Sequence, residues 1–285
     1  MPSRRSFHVA LTACALTAGM LAAAAADPTA AEAAGPAMTA TQFYDGFNGP
    51  AGAKPESSTW AYQAGGNWGN GRELQAYTNK DTNASLTGNG TLRITARGET
   101  YTGWDQVTRD YTSARLMTRQ SVKYGTVSAR IRMTGSPGAW PAFWMMGANY
   151  AQVGWPACGE LDVMEAVNAY TVLYGSFHGP VTGGVAGQSY DAGAGHAVTG
   201  GLGSGWHVYS ATWNARGISF ALDGRTYVEV LKKNLPSGNV WAMDNPQNLI
   251  LNIAVGGMAG TPAPPADFAA TMEVDYVRVV GTTVG

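Results

Sequence analysis

Three carboxylates lie within six residues near the middle of the chain, at Glu160, Asp162 and Glu165. Apolar residues separate them, which is not the pattern of a solvated acidic run. Grouping three acids without a metal is electrostatically unfavourable, because each negative charge raises the pKa of its neighbours. We therefore expect the three to titrate as a coupled unit and to share or use their protons.

The spacing of these acids decides whether they can act together. Side chains alternate along a β-strand, so Glu160 and Asp162 share one face while Glu165 points to the other. A β-bulge in the Val163-Met164 region would return Glu165 to the face of the other two. The sequence therefore predicts a bulged strand from which all three acids project into one place.

This arrangement suits retaining hydrolysis of a glycosidic bond. One carboxylate would attack the anomeric carbon, while another, ~5–5.5 Å away, first donates and then removes a proton. Trp140, Trp144, Trp155 and His178 lie nearby in the sequence, and aromatic faces are what a sugar-binding cleft needs. The alternative is an exposed strand with alternating acids, and the aromatic neighbours argue against it.

The elements that must position these residues read as short strands separated by turns. Strands are predicted at Leu92–Ala96, Thr126–Met133, Trp206–Trp213, Ile218–Leu222, Thr226–Val230, Leu249–Ala254 and Met272–Val280. Many of them alternate apolar and polar residues. Asp223-Gly224 between two of them predicts a hairpin, and the Gly-rich stretch Gly183–Gly205 is expected to be a long surface loop. The pattern predicts an all-β antiparallel sandwich or barrel.

Composition excludes several classes of protein. Of 285 residues only 13% are charged, with 18 basic against 19 acidic, which argues against a nucleic-acid binder and a charge-rich disordered chain. The 38 glycines are about double the usual ~7% but follow no collagen period. We find no internal repeat or linker, and expect residues 35–285 to form a single catalytic domain.

Residues 1–34 resemble an export signal rather than part of a domain. Arg4-Arg5 gives a twin-arginine pattern, and an apolar run from Val9 to Ala26 follows it. We expect cleavage between about residues 26 and 34, and a secreted protein without a membrane anchor. Removal of Cys14 would leave Cys158 alone, so no internal disulfide framework is expected.

The motif around the acids resembles the signature of glycoside hydrolase family 16, and most closely its laminarinase branch of endo-1,3-β-glucanases. The motif runs from Trp155 to Asn168. Further similar blocks follow the family order, at Phe43–Gly49, Glu73–Thr78, Tyr111–Arg115, Trp140–Trp144, Leu251–Gly257 and Val274–Val279. The resemblance implies a curved β-jelly roll with a long open cleft.

By that resemblance Glu160 is the nucleophile, Glu165 the acid/base and Asp162 the assisting carboxylate. The family also contains a form without the bulge, typical of lichenases, with one residue fewer between the acids. The spacing here belongs to the bulged form. It argues against a lichenase but does not separate laminarinases from agarases or carrageenases.

The resemblance also implies substrate contacts. Trp140 and Trp144 match aromatic residues that stack on sugars in the glycone half of the cleft, and Trp155 and His178 match positions near the catalytic strand. For His178 a purely structural role is the alternative. Polar positions close to the donor subsites are matched by Asn70, Glu73 and Arg115. An arginine between strands can equally be structural.

A structural calcium away from the cleft is a further expectation from the resemblance. Two backbone carbonyls and one aspartate would bind it, because Ca²⁺ prefers hard oxygen ligands. The matching positions are Gly46, Gly90 and Asp275. No cofactor is expected to be required for catalysis, since the sequence has no His cluster.

Two classes of function remain to be weighed. The leading hypothesis is a secreted, monomeric endo-β-1,3-glucanase acting on laminarin or curdlan by double displacement. The alternatives are action on another neutral polysaccharide, such as agarose or β-1,3-galactan, and a β-glucan-binding protein without catalysis. The intact set of carboxylates disfavours the second alternative. Transglycosylation through the same covalent intermediate stays open as a side activity.

Overall fold

The computed structural model describes residues 40–66, 72–167, 170–185, 187–203 and 205–281. The expected export signal and Asn70 lie outside these ranges. In the described part the chain forms seventeen strands, one short helix and 3₁₀ turns. The first half contains β1 (Ala40–Asp45), β2 (Trp60–Tyr62), β3 (Gln75–Tyr77), β4 (Ala84–Leu86), β5 (Leu92–Thr102), β6 (Thr108–Ser113), β7 (Arg115–Thr118), β8 (Gly125–Gly135) and β9 (Ala139–Gly147). The second half contains α1 (Tyr150–Val153), β10 (Glu160–Val167), β11 (Val172–Pro180), β12 (Ser189–Ala197), β13 (His207–Asn214), β14 (Gly217–Leu222), β15 (Arg225–Leu231), β16 (Gln247–Val255) and β17 (Ala269–Gly281).

These strands form two sheets. The larger has the order β15-β14-β13-β8-β17-β5-β6-β3, with β1 also paired to β17 and β4 to β5. The smaller has the order β12-β11-β10-β9-β16-β7-β2 and therefore places the acidic strand β10 between β9 and β11. The described strand pairs are antiparallel except for β3 with β6. The predicted all-β antiparallel fold is confirmed.

The core between the sheets follows from the alternation of apolar residues. In β8, Val127, Ala129, Ile131 and Met133 are buried while their neighbours are not. In β16 almost every residue is buried, because one face packs in the core and the other supports a cleft. Burying each large apolar side chain contributes about 1.5–3 kcal/mol, which is how a fold without a disulfide holds a rigid sheet beneath its site.

The predicted Asp223-Gly224 hairpin is confirmed, since it joins β14 to β15 and both residues have positive φ, as a type I′ turn requires. The predicted loop at Gly183–Gly205 is wrong. Its central part is β12, which pairs with β11 along nine residues. The strand is largely exposed and rich in glycine and alanine, so backbone hydrogen bonds to β11 rather than an apolar pattern define it.

No helix in the described part of the chain is long and apolar enough to span a membrane.

Candidate active site

The acidic strand β10 carries the predicted β-bulge. Its register shifts between Asp162 and Glu165 against β11, and between Asp162 and Met164 against β9. Val163 and Met164 are consecutive, yet both are buried in the core. Because the bulge turns both of them inward, Glu165 lines the same cleft as Glu160 and Asp162.

Asp162 lies at the base of the site, where it is only 2% exposed. Its Oδ2 accepts a hydrogen bond of 2.9 Å from the Ser176 hydroxyl and lies 3.1 Å from His178 Nε2. Glu160 pairs with His178 across β10 and β11. The ligand atoms of Glu160, Asp162 and His178 lie within 4.8 Å of one another. They could also surround a cation, but the His178 nitrogen is already used by Asp162.

The electrostatics of this group are those of a coupled unit. Burial, followed by the Asp162 charge, raises the pKa of Glu160 to about 8, although the His178 and Arg115 charges oppose this rise. Burial lowers the pKa of His178, but the hydrogen bond and charge of Asp162 outweigh it and raise that pKa to about 9. At neutral pH the imidazole is therefore a cation beside Asp162.

Glu165 is a buried carboxyl group held by Trp140. Its Oε1 accepts a hydrogen bond of 2.9 Å from the Trp140 indole nitrogen. Burial, followed by the charges of Asp162 and Glu160, raises the pKa of Glu165 well above its ordinary value. Trp140 is fixed in turn by Gly257, where a Cβ would come within 2.7 Å of the ring. A buried carboxyl group that is protonated at neutral pH can act as a general acid.

An open cleft of about 530 Å³ extends from the acids across the smaller sheet. Its lining comes from β10, β9, β16 and β7, and continues to the residue that follows β2. The lining residues are Gln63, Glu73, Tyr77, Arg115, Met117, Trp140, Ala142, Trp144, Met146, Gly147, Ala148, Tyr150, Ala151, Trp155, Glu160, Asp162, Glu165, Asn248, Asn252 and Ala254. The predicted open cleft is thus present and crosses the strands.

A hydrogen-bond network fixes the floor of the cleft beyond the acids. The Arg115 guanidinium lies 4.6 Å from the centre of the Trp144 ring, and the Trp144 indole donates a 2.7 Å hydrogen bond to Asn252. Asn252 donates to the Tyr77 hydroxyl at 2.9 Å, which donates to Glu73 at 3.2 Å. Arg115 and Trp144 are 8% and 9% exposed, so they form a buried floor.

Sequence reasoning missed several polar groups of the site. Ser176 supports Asp162, and the Gln63 side-chain oxygen accepts a 2.7 Å hydrogen bond from Arg115. Asn252 and Tyr77 connect the network described above. Asn252 carried a signal, as a polar residue inside the buried run of β16. Tyr77 lies in the similar block Glu73–Thr78 but was not singled out, and Gln63 carried no signal, because only the folded sheets bring it to the cleft.

Trp155 lines the cleft beside Glu160 and His178. Its ring centre lies 6.4 Å from that of His178. The indole N–H lowers the pKa of Glu160 from nearby but lies outside hydrogen-bond geometry, and it has no partner among the described residues. Trp155 therefore lies close to the Glu160 carboxyl group, and its buried indole N–H favours the ionised form of that acid.

The residues matched to a calcium site approach one another on the larger sheet. Gly46 follows Asp45, which pairs with Val277, and Gly90 precedes the β5 residue Leu92, which pairs with Val274. Asp275 lies between these partners on β17. Its carboxylate already binds Arg130, with Oδ2 2.9 Å from Nη1. Two backbone carbonyls and a carboxylate suit Ca²⁺ chemically, although the carboxylate would have to be shared.

Carboxylates on one bulged strand, in a cleft lined by indoles and amides, define a hydrolase that acts on carbohydrate. The sequence profile described as Glycosyl hydrolases family 16 matches residues 71–278. The chain belongs to this family and is a glycoside hydrolase.

Individual relatives support the assignment. The chain is 36% identical to a β-glucanase of Rhodothermus marinus over 79% of this chain and 80% of that protein. It is 33% identical to glucan endo-1,3-beta-glucosidase A1 of Niallia circulans over 83% of this chain but only 37% of that longer protein. The laminarinase catalytic domain of Thermotoga maritima superposes with a TM-score of 0.74 at 33% identity, covering 85% and 98% of the two chains. The predicted jelly-roll sandwich is thereby confirmed.

Proposed function

We propose that this chain is a retaining endo-β-1,3-glucanase that hydrolyses internal bonds of laminarin- and curdlan-type glucans by double displacement. The observation that carries the proposal is the bulge in β10, which places Glu160, Asp162 and Glu165 along one cleft. The names of the relatives described above support β-1,3-glucan as the substrate.

In the first step the Glu160 carboxylate attacks the anomeric carbon, and Glu165 gives its proton to the departing glycosidic oxygen. The raised pKa of Glu165 favours the protonated form that this step requires. The Trp140 indole holds one carboxyl oxygen of Glu165. The active form thus has a proton on Glu165 and none on Glu160. Because the pKa of Glu160 is raised to about 8, this form is the minor one at neutral pH, and the nearby His178 and Arg115 charges increase its share.

In the second step Glu165, now a carboxylate, removes a proton from water, which attacks the glycosyl ester and frees Glu160. His178 and Ser176 hold Asp162 beside Glu160 throughout. The Asp162 charge opposes ionisation of both glutamates. Asp162 therefore adjusts proton occupancy, while the glutamates make and break the bonds.

The charge of the cleft favours a neutral substrate. Among the residues that line the described cleft, Arg115 is the cation, and it is buried against Trp144 and bound by Gln63. A sulfated polymer would need accessible cations to replace the hydration of its sulfate groups. Apolar ring surfaces with amide and carboxyl groups instead suit uncharged glucose units.

A substrate panel tests this proposal. Purified protein is incubated with laminarin, curdlan, lichenan, agarose and carrageenan, and released reducing ends are measured. We expect release from laminarin and curdlan, with proton NMR showing the β-anomer as the first product. Release from agarose or carrageenan alone would contradict the substrate, and first formation of the α-anomer would contradict the retaining mechanism. Binding to laminarin without release would favour a non-catalytic glucan-binding protein.

We further propose that the protein is exported through its twin-arginine segment, works as a monomer, and binds a structural calcium at Gly46, Gly90 and Asp275. The register of β1, β17 and β5 supports the calcium proposal by bringing these positions together. The calcium would tie the end of β1 and the start of β5 to β17 and takes no part in the reaction.

A further inference from the structure

Trp104 is the large apolar side chain that the described surface exposes most, at 78%. It lies in the turn between β5 and β6. Exposing an indole to water is unfavourable, and single exposed apolar residues are nevertheless common. What distinguishes Trp104 is its support and its position relative to the cleft.

The turn that carries Trp104 is well held. Gly103 donates a backbone hydrogen bond of 3.1 Å to Val107, and Asp105 binds the Arg109 guanidinium with a closest distance of 2.7 Å. Arg109 packs against Gly66 so closely that a side chain there would clash. A ring on such a turn loses little conformational freedom when it binds a ligand, which favours affinity.

The support of Trp104 connects it to one end of the cleft. The cleft crosses β10, β9, β16 and β7 and ends at Gln63, which follows the sheet-edge strand β2. Two residues later, Gly65 exchanges backbone hydrogen bonds of 2.9 and 2.7 Å with Tyr77, another cleft residue. A Cβ on Gly65 would lie 3.5 Å from the Trp104 indole nitrogen. The exposed ring therefore stands beyond the sheet edge at which the cleft ends.

We propose that Trp104 is an auxiliary sugar-binding platform, on which a glucan chain already held in the cleft stacks a distal glucose unit. The inference rests on the proposed function. The position beside the cleft indicates that the ligand is the glucan chain itself, because a polymer that passes over Gln63 next reaches Gly65 and the adjacent Trp104. The C–H face of a glucose ring suits an exposed indole, and the paired Asp105 and Arg109 leave no net charge at the turn.

The experiment compares Trp104→Ala with the parent chain on laminarin and on β-1,3-gluco-oligosaccharides of increasing length. We expect the variant to raise KM for laminarin about three- to tenfold, the size of one aromatic contact, with kcat unchanged. KM for the shortest oligosaccharide that is cleaved should not change. Trp104→Phe should restore most of the affinity for laminarin. Tyr44→Ala is the matched control, because Tyr44 is 60% exposed on β1 of the larger sheet, to which β5 and β6 beside Trp104 also belong, and does not line the cleft.

An unchanged KM for laminarin in Trp104→Ala would overturn the platform, as would an equal rise for the shortest and longest substrates. An equal rise in Tyr44→Ala would also overturn it, since the effect would then be a general surface effect. Parent activity is measured first. Absence of parent turnover on any β-1,3-glucan contradicts the proposed function, whereas parent turnover with an unchanged variant contradicts only the platform.

Discussion

Two of the β-bulges in the described strands, one on each sheet, have opposite sense. In β10 the bulge turns the consecutive residues Val163 and Met164 into the core, so that acids on either side reach the cleft. In β17 the register shifts between Val274 and Tyr276. There Val274 and Val277 are both in the core, and the two residues between them, Asp275 included, face outward. One backbone device thus gathers acids for chemistry in one sheet and presents an acid at the surface in the other.

The acids beside the two bulges have opposite electrostatic surroundings. On β17 and its neighbours, Glu273 binds Arg93 and Arg132, with closest contacts of 2.6 Å to Arg93 and 2.5 Å to Arg132, and these bonds hold its pKa below the ordinary value against the effect of burial. In the cleft, burial and mutual repulsion raise the pKa values of Glu160 and Glu165. The larger sheet pairs Glu273 with two arginines and gains stability, whereas burial and mutual repulsion of Glu160 and Glu165 in the cleft come at a cost in stability.

The largest expected effect is on activity, where the cleft glutamates should differ from Glu273 on the larger sheet. Glu160→Gln and Glu165→Gln should each lower turnover of laminarin by about a thousandfold or more, since in the proposed mechanism each removes a group that makes or breaks a bond. Glu273→Gln is the matched control and should retain the parent kcat. Initial rates of reducing-sugar release measure all three variants. Near-parent turnover in either cleft variant would break the assignment of roles.

The glutamine variants should also differ in stability, since Glu165→Gln should raise the Tm at high pH whereas Glu273→Gln should lower stability. Glu165 has a folded-state pKa above its unfolded value, so its contribution to stability is complete below pH 4.5 and is lost as the pH rises. Glu165→Gln should therefore raise the Tm relative to the parent at pH 8 but not at pH 4. A lower Tm at both pH values would show that Glu165 is not electrostatically strained.

Asp162→Asn tests the mutual repulsion of the cleft acids through the pH profile of kcat/KM. The Asp162 charge raises the pKa of both glutamates, and it ranks above His178 among the charges that act on each. Removing it makes both ionise more readily, so both limbs of the profile of kcat/KM against pH should move to lower pH. Turnover should fall on the order of ten- to a hundredfold, because Asp162 would no longer adjust the proton occupancy of the two glutamates. A profile of unchanged position would show that Asp162 acts by packing alone.

Glu273→Gln should lower stability without affecting catalysis. Its pKa is depressed in the folded state, so its contribution is present above the unfolded value of 4.5 and is lost as the pH falls below it. Since both arginine side chains are 50% exposed, solvent screens the pair, and we expect a loss of about 1–2 kcal/mol at pH 7. Urea unfolding at pH 7 and pH 3.5 measures the loss, which should shrink at the lower pH.

How far the sequence predicts the fold depends on whether apolar side chains define each strand. The alternation in Thr126–Met133 and the Asp223-Gly224 turn were sufficient for β8 and for the β14–β15 hairpin. β12 was missed because it is an exposed edge strand, defined by backbone pairing with β11. The alternation of apolar and polar residues in a sequence indicates which side chains are buried, and the side chains of β12 are largely exposed.

The site could be predicted where its residues are close in sequence. Glu160, Asp162 and Glu165 share one strand, so their spacing alone indicated the bulge between them. Gln63 and Tyr77 reach the cleft only because β2 and β3 pack at the edges of different sheets. Their roles follow from tertiary contacts, and no local signal encodes such contacts.

The smallest expected effect concerns the outward bulge in β17. If calcium binds the carbonyls of Gly46 and Gly90 together with Asp275, EDTA should lower the Tm by about 2–6 °C, and added CaCl₂ should restore it. Asp275→Asn should remove this response. Because Asp275 also binds Arg130, the control is Arg130→Gln, which keeps the carboxylate and should keep the response to calcium. A response that survives in Asp275→Asn would place the ion elsewhere. A Tm that changes with neither EDTA nor added calcium would show that Arg130 alone satisfies the Asp275 carboxylate. The bulge in β17 would then be a site of ion pairing only.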